Sequence, residues 1–303
     1  MTTYPVTFPA GTLTADEAFR ILQSPALVAR RLADMVNQRF IADYLLTGRY
    51  QASGGGIFYP DGEELFPADG SEAITPGGEY PKTVLDQGTL VAARTLKRGI
   101  ATDVLDEAID QRGPGVVNEA MQKLANGVVR DVDAIGMGVI ESRVSGTYAS
   151  AAWTSAEAII AAVLAAQSQG EELEKGYVLD TVALKGAQYA KVMSLFAASG
   201  LLPREGGNPI VSGSMPAQLL GLTWVKAPHM TSNDPLLVDR DSLGGMAESR
   251  LPSPEFRRFG DAYVEGASER LKGRDGYLVR ARRVTVPVVL NPDAGIKITG
   301  TGL

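Results

Sequence analysis

The chain of 303 residues contains no cysteine and only one histidine, His229. Without cysteine it has no disulfide, no thiolate metal site, no iron–sulfur cluster and no cysteine nucleophile. A single histidine excludes a multi-histidine metal site and leaves one candidate base for a catalytic triad. Because His229 follows Pro228 between two predicted strands, we expect a solvated loop histidine with no catalytic role.

Long hydrophobic runs are also missing. The longest covers residues 158–166, far short of the roughly 20 residues of a membrane-spanning helix. The first residues do not combine a basic start with an apolar stretch, which a secretory signal requires. We therefore expect a soluble protein, made in the cytosol, that has no membrane partner.

The sequence offers little for catalysis or for phosphate binding. It has no G-x-S-x-G motif, and the triplet Gly54-Gly55-Gly56 lacks the Lys-Ser/Thr pair of a phosphate-binding loop. The net charge of −6 argues against nonspecific nucleic-acid binding as the main role. We expect a protein that is not an enzyme and has no cofactor or metal. The hydrophobic share of 45% is that of an ordinary folded protein.

Two regions have helical periodicity. Residues 12–47 are predicted to be helical, with a capping box from Thr14 to Glu17 and a break at Pro25. After a short helix that Thr102 or Asp103 would cap, apolar residues recur every three or four positions over residues 117–139. This pattern predicts a helix of about 30 residues, which would be roughly 40 Å long.

Between these regions, residues 50–88 are too rich in glycine and proline for a regular helix. Asp61-Gly62, between residues 57–59 and 65–66, is typical of a hairpin turn. Aromatic residues disfavour a flexible linker, so we expect an ordered, functional loop. Residues 57–81 contain no lysine or arginine; their acidic residues are Asp61, Glu63, Glu64, Asp69, Glu72 and Glu79.

The second half alternates between helix and strand. Thr154 and Glu157 suggest another capping box, residues 186–198 a further helix, and residues 177–182, 220–224 and 236–238 strands. From about residue 255 the pattern is β-rich, with strands on both sides of a turn at residues 274–276. Basic residues concentrate there, with only Glu269 and Asp275 nearby in sequence to oppose them: Arg270, Lys272, Arg274, Arg280, Arg282 and Arg283.

In this order of parts, the sequence resembles the major capsid proteins of tailed bacteriophages, which have the Hong Kong 97-like fold. The resemblance covers the chain from about residue 30 onward. It depends on several short sequence segments that follow one another in the order typical of the family, rather than on one motif. The segments are GGIFYP at 55–60, EYP at 79–81, GIATDVLDE at 99–107, VLD at 178–180, AQYA at 187–190, LGLTWV at 220–225, LVD at 237–239, GYLVRA at 276–281 and VVLNP at 288–292.

The resemblance implies an α+β fold of five parts. These are a helical N-terminal arm (1–49), an extended β-hairpin loop with its return strand (50–101), a spine helix of the peripheral domain (102–146), an α/β axial domain (147–254) and a β-rich return of the peripheral domain (255–303). It also implies a capsid protein of the virion, assembled in the host cytoplasm through hexamers and pentamers into an icosahedral shell around phage double-stranded DNA.

The implied partners are other copies of the chain, a separate scaffolding protein, a portal and, in some shells, a decoration protein. The DNA would be enclosed without specific binding. We further expect the acidic loop, with Phe58 and Tyr59, to contact the basic return of a neighbouring subunit, because complementary charges favour register and rapid association. Both could instead be solvated surfaces, since exposed ion pairs contribute only about 0–1 kcal/mol.

Two other functions stay open. A bacterial encapsulin would have the same fold but store a protein cargo, so the content of the particle would distinguish it. A soluble enzyme with a lid at residues 50–88 would be a monomer with a substrate-sized pocket. The shortage of catalytic residues makes this second alternative remote.

Overall fold

The computed structural model describes residues 13–36, 39–62, 88–199, 218–219, 221–261 and 263–303. Within them the helices are α1 (Ala15–Gln23), α2 (Pro25–Val36), α3 (Ile41–Leu45), α4 (Asp106–Arg112), α5 (Gly115–Arg143), α6 (Ala156–Glu172), α7 (Gly186–Ala198) and α8 (Arg240–Leu243). The strands are β1 (Gly48–Gln51), β2 (Gly56–Asp61), β3 (Thr89–Arg94), β4 (Leu96–Leu105), β5 (Gly146–Ala149), β6 (Thr181–Leu184), β7 (Gln218–Leu219), β8 (Leu222–Lys226), β9 (Leu236–Val238), β10 (Gly244–Glu248), β11 (Arg257–Arg258), β12 (Glu265–Leu271), β13 (Gly276–Val289) and β14 (Gly295–Thr299).

The N-terminal arm begins as the sequence predicts. The side chain of Thr14 accepts the Glu17 amide at 3.4 Å, and the Glu17 carboxylate accepts the Thr14 amide at 2.9 Å, which completes the capping box. The helical region is shorter than the predicted 12–47. It ends at Leu45, because Gly48 already begins β1 and pairs in parallel with Gly245 of β10.

The long helix is confirmed. α5 has 29 residues, and at 1.5 Å per residue it is about 43 Å long. It packs on β13 and β4 with one face and on α2 and α3 with another. Gly136 allows the approach of α3, because a Cβ at this position would overlap the side chain of Ala42.

Two predicted helix starts are wrong. The segment at Thr102 and Asp103 is strand, because β4 stays paired with β13 up to the Leu105–Gly276 pair, and α4 begins only afterwards. α6 is capped by Ser155, whose Oγ accepts the Ala158 amide at 3.3 Å, and not by Thr154.

The first sheet has the order β1-β10-β13-β12-β11, with β4 on the other edge of β13. β13 is its centre: it pairs antiparallel with β12 over Gly276–Arg282, with β4 over Gly276–Thr285 and with β10 over Thr285–Val289. The buried residues of α1, α2, α5 and this sheet belong to one hydrophobic core.

The second sheet has the order β5-β14-β9-β6-β8-β7. α6 and α7 pack on it around a core that includes Trp153 and Trp224. The predicted division at residue 254 does not separate the two sheets. β10 lies in the first sheet although it precedes residue 254, and β14 lies in the second although it follows. Strand pairing between residues distant in the sequence determines both placements.

β2 and β3 form a separate two-stranded ribbon. Gly56 to Asp61 pair with Thr89 to Arg94, so the described partner of β2 is a strand almost 30 residues further along the chain. The hairpin predicted at Asp61-Gly62 stays a prediction, because its second strand is predicted at residues 65–66. Residues 65–66, like all of residues 63–87, lie outside the described part of the chain.

Candidate inter-subunit surface

The ribbon of β2 and β3 presents two different faces. Alternation along a strand places Tyr59 and Val91 on the face that packs against β10 and β13. The opposite face carries Phe58 and Leu90, whose exposed fractions are 73% and 70%. Two large apolar side chains with such high exposure on one small ribbon are typical of a surface that another molecule covers.

The base of the ribbon is fixed to the body of the subunit. Arg143, in the last turn of α5, donates to the Asp61 carboxylate at 3.2 Å and to the Tyr59 hydroxyl at 3.4 Å. The Gly62 amide donates to the carbonyl of Leu290 at 2.7 Å. Asp61 is therefore paired inside its own subunit. The other predicted acidic contacts, Glu63, Glu64, Asp69, Glu72 and Glu79, lie outside the described residues.

Three residues of the predicted basic return lie near the turn between β12 and β13. Arg270 binds Asp106 through two hydrogen bonds of 2.9 and 2.7 Å. Arg274 lies 3.5 Å from Asp103, and Lys272 is exposed. Because these guanidinium groups already have acidic partners within the chain, the positive charge at the turn is weaker than the sequence suggested.

Arg280 and Arg282 lie on one face of β13, where the ring of Phe256 covers both guanidinium groups. Arg280 donates to Glu255 at 2.8 Å and to Glu269 at 3.3 Å. Arg282 is only 7% exposed and donates through Nε to Glu265 at 2.7 Å. The ring of Phe256 stacks on it, with 3.7 Å from the guanidinium carbon to the ring centroid.

Arg283 points to the opposite face and is fully buried. Its guanidinium contacts Glu248 of β10 at 2.5 Å and Asp43 of α3 at 2.8 Å, and it stacks on Phe40. Burial alone lowers the pKa of Arg283, but the two carboxylates more than offset this effect and raise its pKa above the usual value. The expectation that Arg283 contacts a neighbouring subunit is therefore wrong, because its side chain is enclosed in its own core.

A fourth charged group, Asp133 of α5, belongs to this buried cluster. It is 1% exposed, and its Oδ1 accepts the Ala42 amide at 3.0 Å, at the start of α3. Burial raises the pKa of Asp133 to about 7, against the lowering by its hydrogen bonds and by Arg283. Burial likewise raises the pKa of Glu248, although Arg283 opposes that shift.

Sequence reasoning missed most of these acidic partners. One signal was available: a tight turn at residues 274–276 fixes the antiparallel register of its strands, which places Glu265 directly opposite Arg282. The partners Asp43, Asp103, Asp106 and Glu248 come from distant elements. No spacing in the sequence relates them to the return, so pattern analysis could not find them.

The described residues give little support for a metal site, for a catalytic histidine or for a membrane-spanning helix. They contain no group of three or more acidic, histidine or cysteine side chains that could hold a metal ion. Asp239 serves as the N-cap of α8, with its Oδ1 accepting the amides of Asp241 and Ser242. His229 is half-buried rather than solvated, and desolvation with the nearby Arg130 lowers its pKa. None of the helices in this part of the chain has the length and apolar character needed to cross a bilayer.

The family model for phage capsid proteins matches residues 89–298. The chain belongs to the phage capsid protein family. The match extends from β3 to β14 and so includes the long helix and nearly all of both sheets. No curated protein matches the chain.

Solved capsid structures share the fold. The capsid structure of the cyanophage P-SCSP1u is 13% identical and aligns with a TM-score of 0.55 over 84% of this chain and 86% of its own. The protein of Mycobacterium phage Ogopogo is 15% identical, with a TM-score of 0.53 over 85% and 91%. A virus-like particle from Pyrococcus furiosus is 11% identical, with a TM-score of 0.56 over 93% and 99%. The predicted α+β, Hong Kong 97-like capsid fold is thereby confirmed.

Proposed function

We propose that this phage capsid protein assembles through hexamers and pentamers into an icosahedral shell that encloses phage double-stranded DNA. The observation that carries the proposal is the family match over residues 89–298. The alignment to capsid structures over more than four fifths of the chain supports it. Repeated contacts between identical subunits close into a shell when their geometry has point-group symmetry.

In this proposal the loop from β2 to β3 contacts a neighbouring subunit. Phe58 and Leu90, exposed on the outer face of the ribbon, would be covered by the neighbour. The acidic residues 63–79 would meet the cations of the return, which are Arg270, Lys272, Arg274, Arg280 and, only 7% exposed beside Arg280, Arg282. Arg283 is omitted because it is buried, and Asp61 because it pairs with Arg143.

The acidic character of the chain suits a container. A subunit with a net charge of −6 does not hold phosphate backbones strongly, so DNA would be the content of the shell rather than a ligand. The further partners in the proposal are a separate scaffolding protein, a portal and, in some shells of this kind, a decoration protein, with assembly in the host cytoplasm.

Negative-stain microscopy of the purified protein over a range of concentrations and salt tests the proposal. We expect shells, tubes or rings of capsomers. A protein that stays monomeric under all of these conditions would contradict the proposal.

A protein-storage shell is the second candidate, because a virus-like particle from Pyrococcus furiosus has the same fold, which is weaker support than the family match gives the phage capsid. Particles isolated from producing cells distinguish the two candidates. Nuclease-protected double-stranded DNA supports the phage capsid, whereas a defined protein cargo without DNA supports the storage shell.

A further inference from the structure

Three arginines lie together without an acidic partner at one edge of the first sheet. Arg257 and Arg258 form β11, an edge strand that pairs only with β12 in the described part of the chain. α2 packs on β11, and its Arg30 stacks on Phe259, 5.4 Å from the ring centroid. Among the residues that the structure describes, no carboxylate forms an ion pair with any of the three. We call Arg30, Arg257, Arg258 and Phe259 the arginine edge.

Aromatic rings fix two of these guanidinium groups within the subunit. Arg30 lies over Phe259, and Arg258 lies over Tyr263 with 4.0 Å from its guanidinium carbon to the ring centroid. Tyr263 has a φ of 55°, in the left-handed region, which persists only where the surroundings fix the residue. A cation–π contact occupies the flat face of a guanidinium group and leaves the N–H donors at its edge for another acceptor. The stacks therefore hold these donors in a fixed orientation.

The positive surface continues from β11 onto the first two helices. Arg30 also lines a groove of about 440 Å³ between α1 and α2, together with Arg20 and Arg31. Two carboxylates line the same groove, but Glu17 already serves in the capping box of α1, which leaves Asp34. Cations therefore outnumber the available carboxylates in this groove as well.

Fixed guanidinium groups without acidic partners indicate a ligand rather than mere protection of a sheet edge. Charged residues on an edge strand prevent pairing with other chains, but that role needs no fixed orientation. Phosphate oxygens fit the guanidinium fork and accept two parallel hydrogen bonds from it. The net charge of −6 does not prevent such a contact, because charges more than about 10 Å away are largely screened at 0.1 M salt.

We propose that the arginine edge contacts the phosphate backbone of the double-stranded DNA inside the shell, without reading its sequence. The inference rests on the proposed function, which places this polyanion beside every subunit. It gives the wall of the shell one local contact surface, while the acidic remainder of the chain leaves the DNA otherwise unbound. The contact depends on salt, because cations that neutralise phosphates release counterions.

Binding of the unassembled protein to a 20-base-pair DNA duplex, measured by fluorescence anisotropy from 25 to 200 mM NaCl, tests the proposal. The variant with Arg30→Gln and Arg257→Gln removes two exposed cations of the arginine edge. We expect at least about tenfold weaker binding at 50 mM NaCl. The slope of log K against log salt should become shallower by about 1.8, at about 0.9 for each lost phosphate contact. A second duplex of different sequence should bind equally well.

The matched control is the variant with Lys97→Gln and Arg98→Gln. Both residues are exposed cations of β4, which lies on the opposite side of β13 from β12 and β11. This variant changes the net charge by the same amount, so it should bind DNA like the unmodified chain. All four changed positions are exposed, so the melting temperatures of both variants should equal that of the unmodified chain.

Equal weakening in the two double variants, or unchanged binding in the variant of the arginine edge, overturns the assignment. Polyglutamate that displaces the labelled duplex as readily as unlabelled DNA of equal charge also overturns it, and indicates an acidic protein as the partner. If the unmodified chain forms shells but does not bind the duplex at 25 mM NaCl, the assignment is wrong and the capsid function stands. If it binds as expected but never assembles, the capsid function fails while the arginine edge keeps its phosphate ligand.

Discussion

We predict that the free energy of unfolding of the Asp133→Asn variant, relative to that of the unmodified subunit, increases as the pH rises. In the native protein this carboxyl lies in the core between α5 and α3 and accepts the Ala42 amide. The charged groups around it are Asp43 of α3, Glu248 of β10 and Arg283 of β13. Asparagine has nearly the same shape and keeps an acceptor oxygen, but it never ionises.

The size of the effect follows from the shift in pKa. Burial raises the pKa of Asp133 from 3.8 to about 7, so the native state binds this proton more tightly than the unfolded state. The corresponding stabilisation is complete below pH 3.8 and is lost as the pH rises to about 7, by up to about 1.4 kcal/mol per pH unit. Between pH 5 and pH 8 the loss is about 3 kcal/mol.

Denaturation by urea at pH 5, 6, 7 and 8, on unassembled protein, measures this difference. The free energy of unfolding of Asp133→Asn minus that of the unmodified protein should increase by about 3 kcal/mol over this range. Groups common to both proteins cancel in the difference. Asp131→Asn is the control, because its carboxylate is half-exposed on the same helix; its difference should stay constant within about 0.5 kcal/mol.

A difference for Asp133→Asn that stays constant from pH 5 to pH 8 would refute the reasoning. It would mean that the carboxyl keeps an ordinary pKa in the core, with its charge balanced by Arg283 and by the backbone amides of Ile41 and Ala42. A difference that falls with pH would indicate a lowered pKa and would reverse the sign of the argument.

Three further stability predictions follow from packing, and chemical denaturation checks each. Gly136→Ala should lower the free energy of unfolding by about 1–3 kcal/mol, because its new Cβ would overlap α3. Gly138 has open space around it, so Gly138→Ala should raise the free energy of unfolding by up to about 1 kcal/mol through helix propensity. Equal effects of the two substitutions would refute the close approach of α3. Ser155→Ala should lower the free energy of unfolding by about 1 kcal/mol, and Thr154→Ala should lower it by less than about 0.5 kcal/mol. The reverse order would indicate that Thr154 caps α6. Arg283→Met should cost about 3–5 kcal/mol because it leaves the buried Glu248 carboxylate unpaired and removes one of the two cations beside Asp43, and a loss below 1 kcal/mol would contradict the buried cluster.

Helices were the most predictable part of the fold. α5 could be inferred because its apolar face repeats every three to four residues, and α7 has the bounds 186–198 that the pattern suggests. The information for a helix is local, since each turn bonds to the next. The errors arise at the ends: β4 continues through Thr102 because β13 pairs with it, and the sequence near Thr102 carries no trace of a strand almost 180 residues away.

The candidate surface was less predictable. The exposed Phe58 fits the expectation of a contact loop, although only the structure shows that Tyr59 beside it faces inward. The basic return was visible as a cluster of like charges, but its division into surface and core residues depends on the faces of β13. Arg282 and Arg283 are neighbours in sequence and lie on opposite faces, so a count of charges could not separate them.

The position of β14 governs when the subunit can finish folding during synthesis. This strand lies between β5 and β9, and without it β5 has no neighbouring strand among the residues that the structure describes. The ribosome synthesises the chain from its N-terminus at about 5–20 residues per second. Gly295–Thr299 are therefore made well after Gly146–Ala149. The second sheet of a nascent chain therefore stays incomplete until Gly295–Thr299 have emerged. Because nascent chains lack β14, the order of the strands disfavours shell assembly from incompletely synthesised subunits.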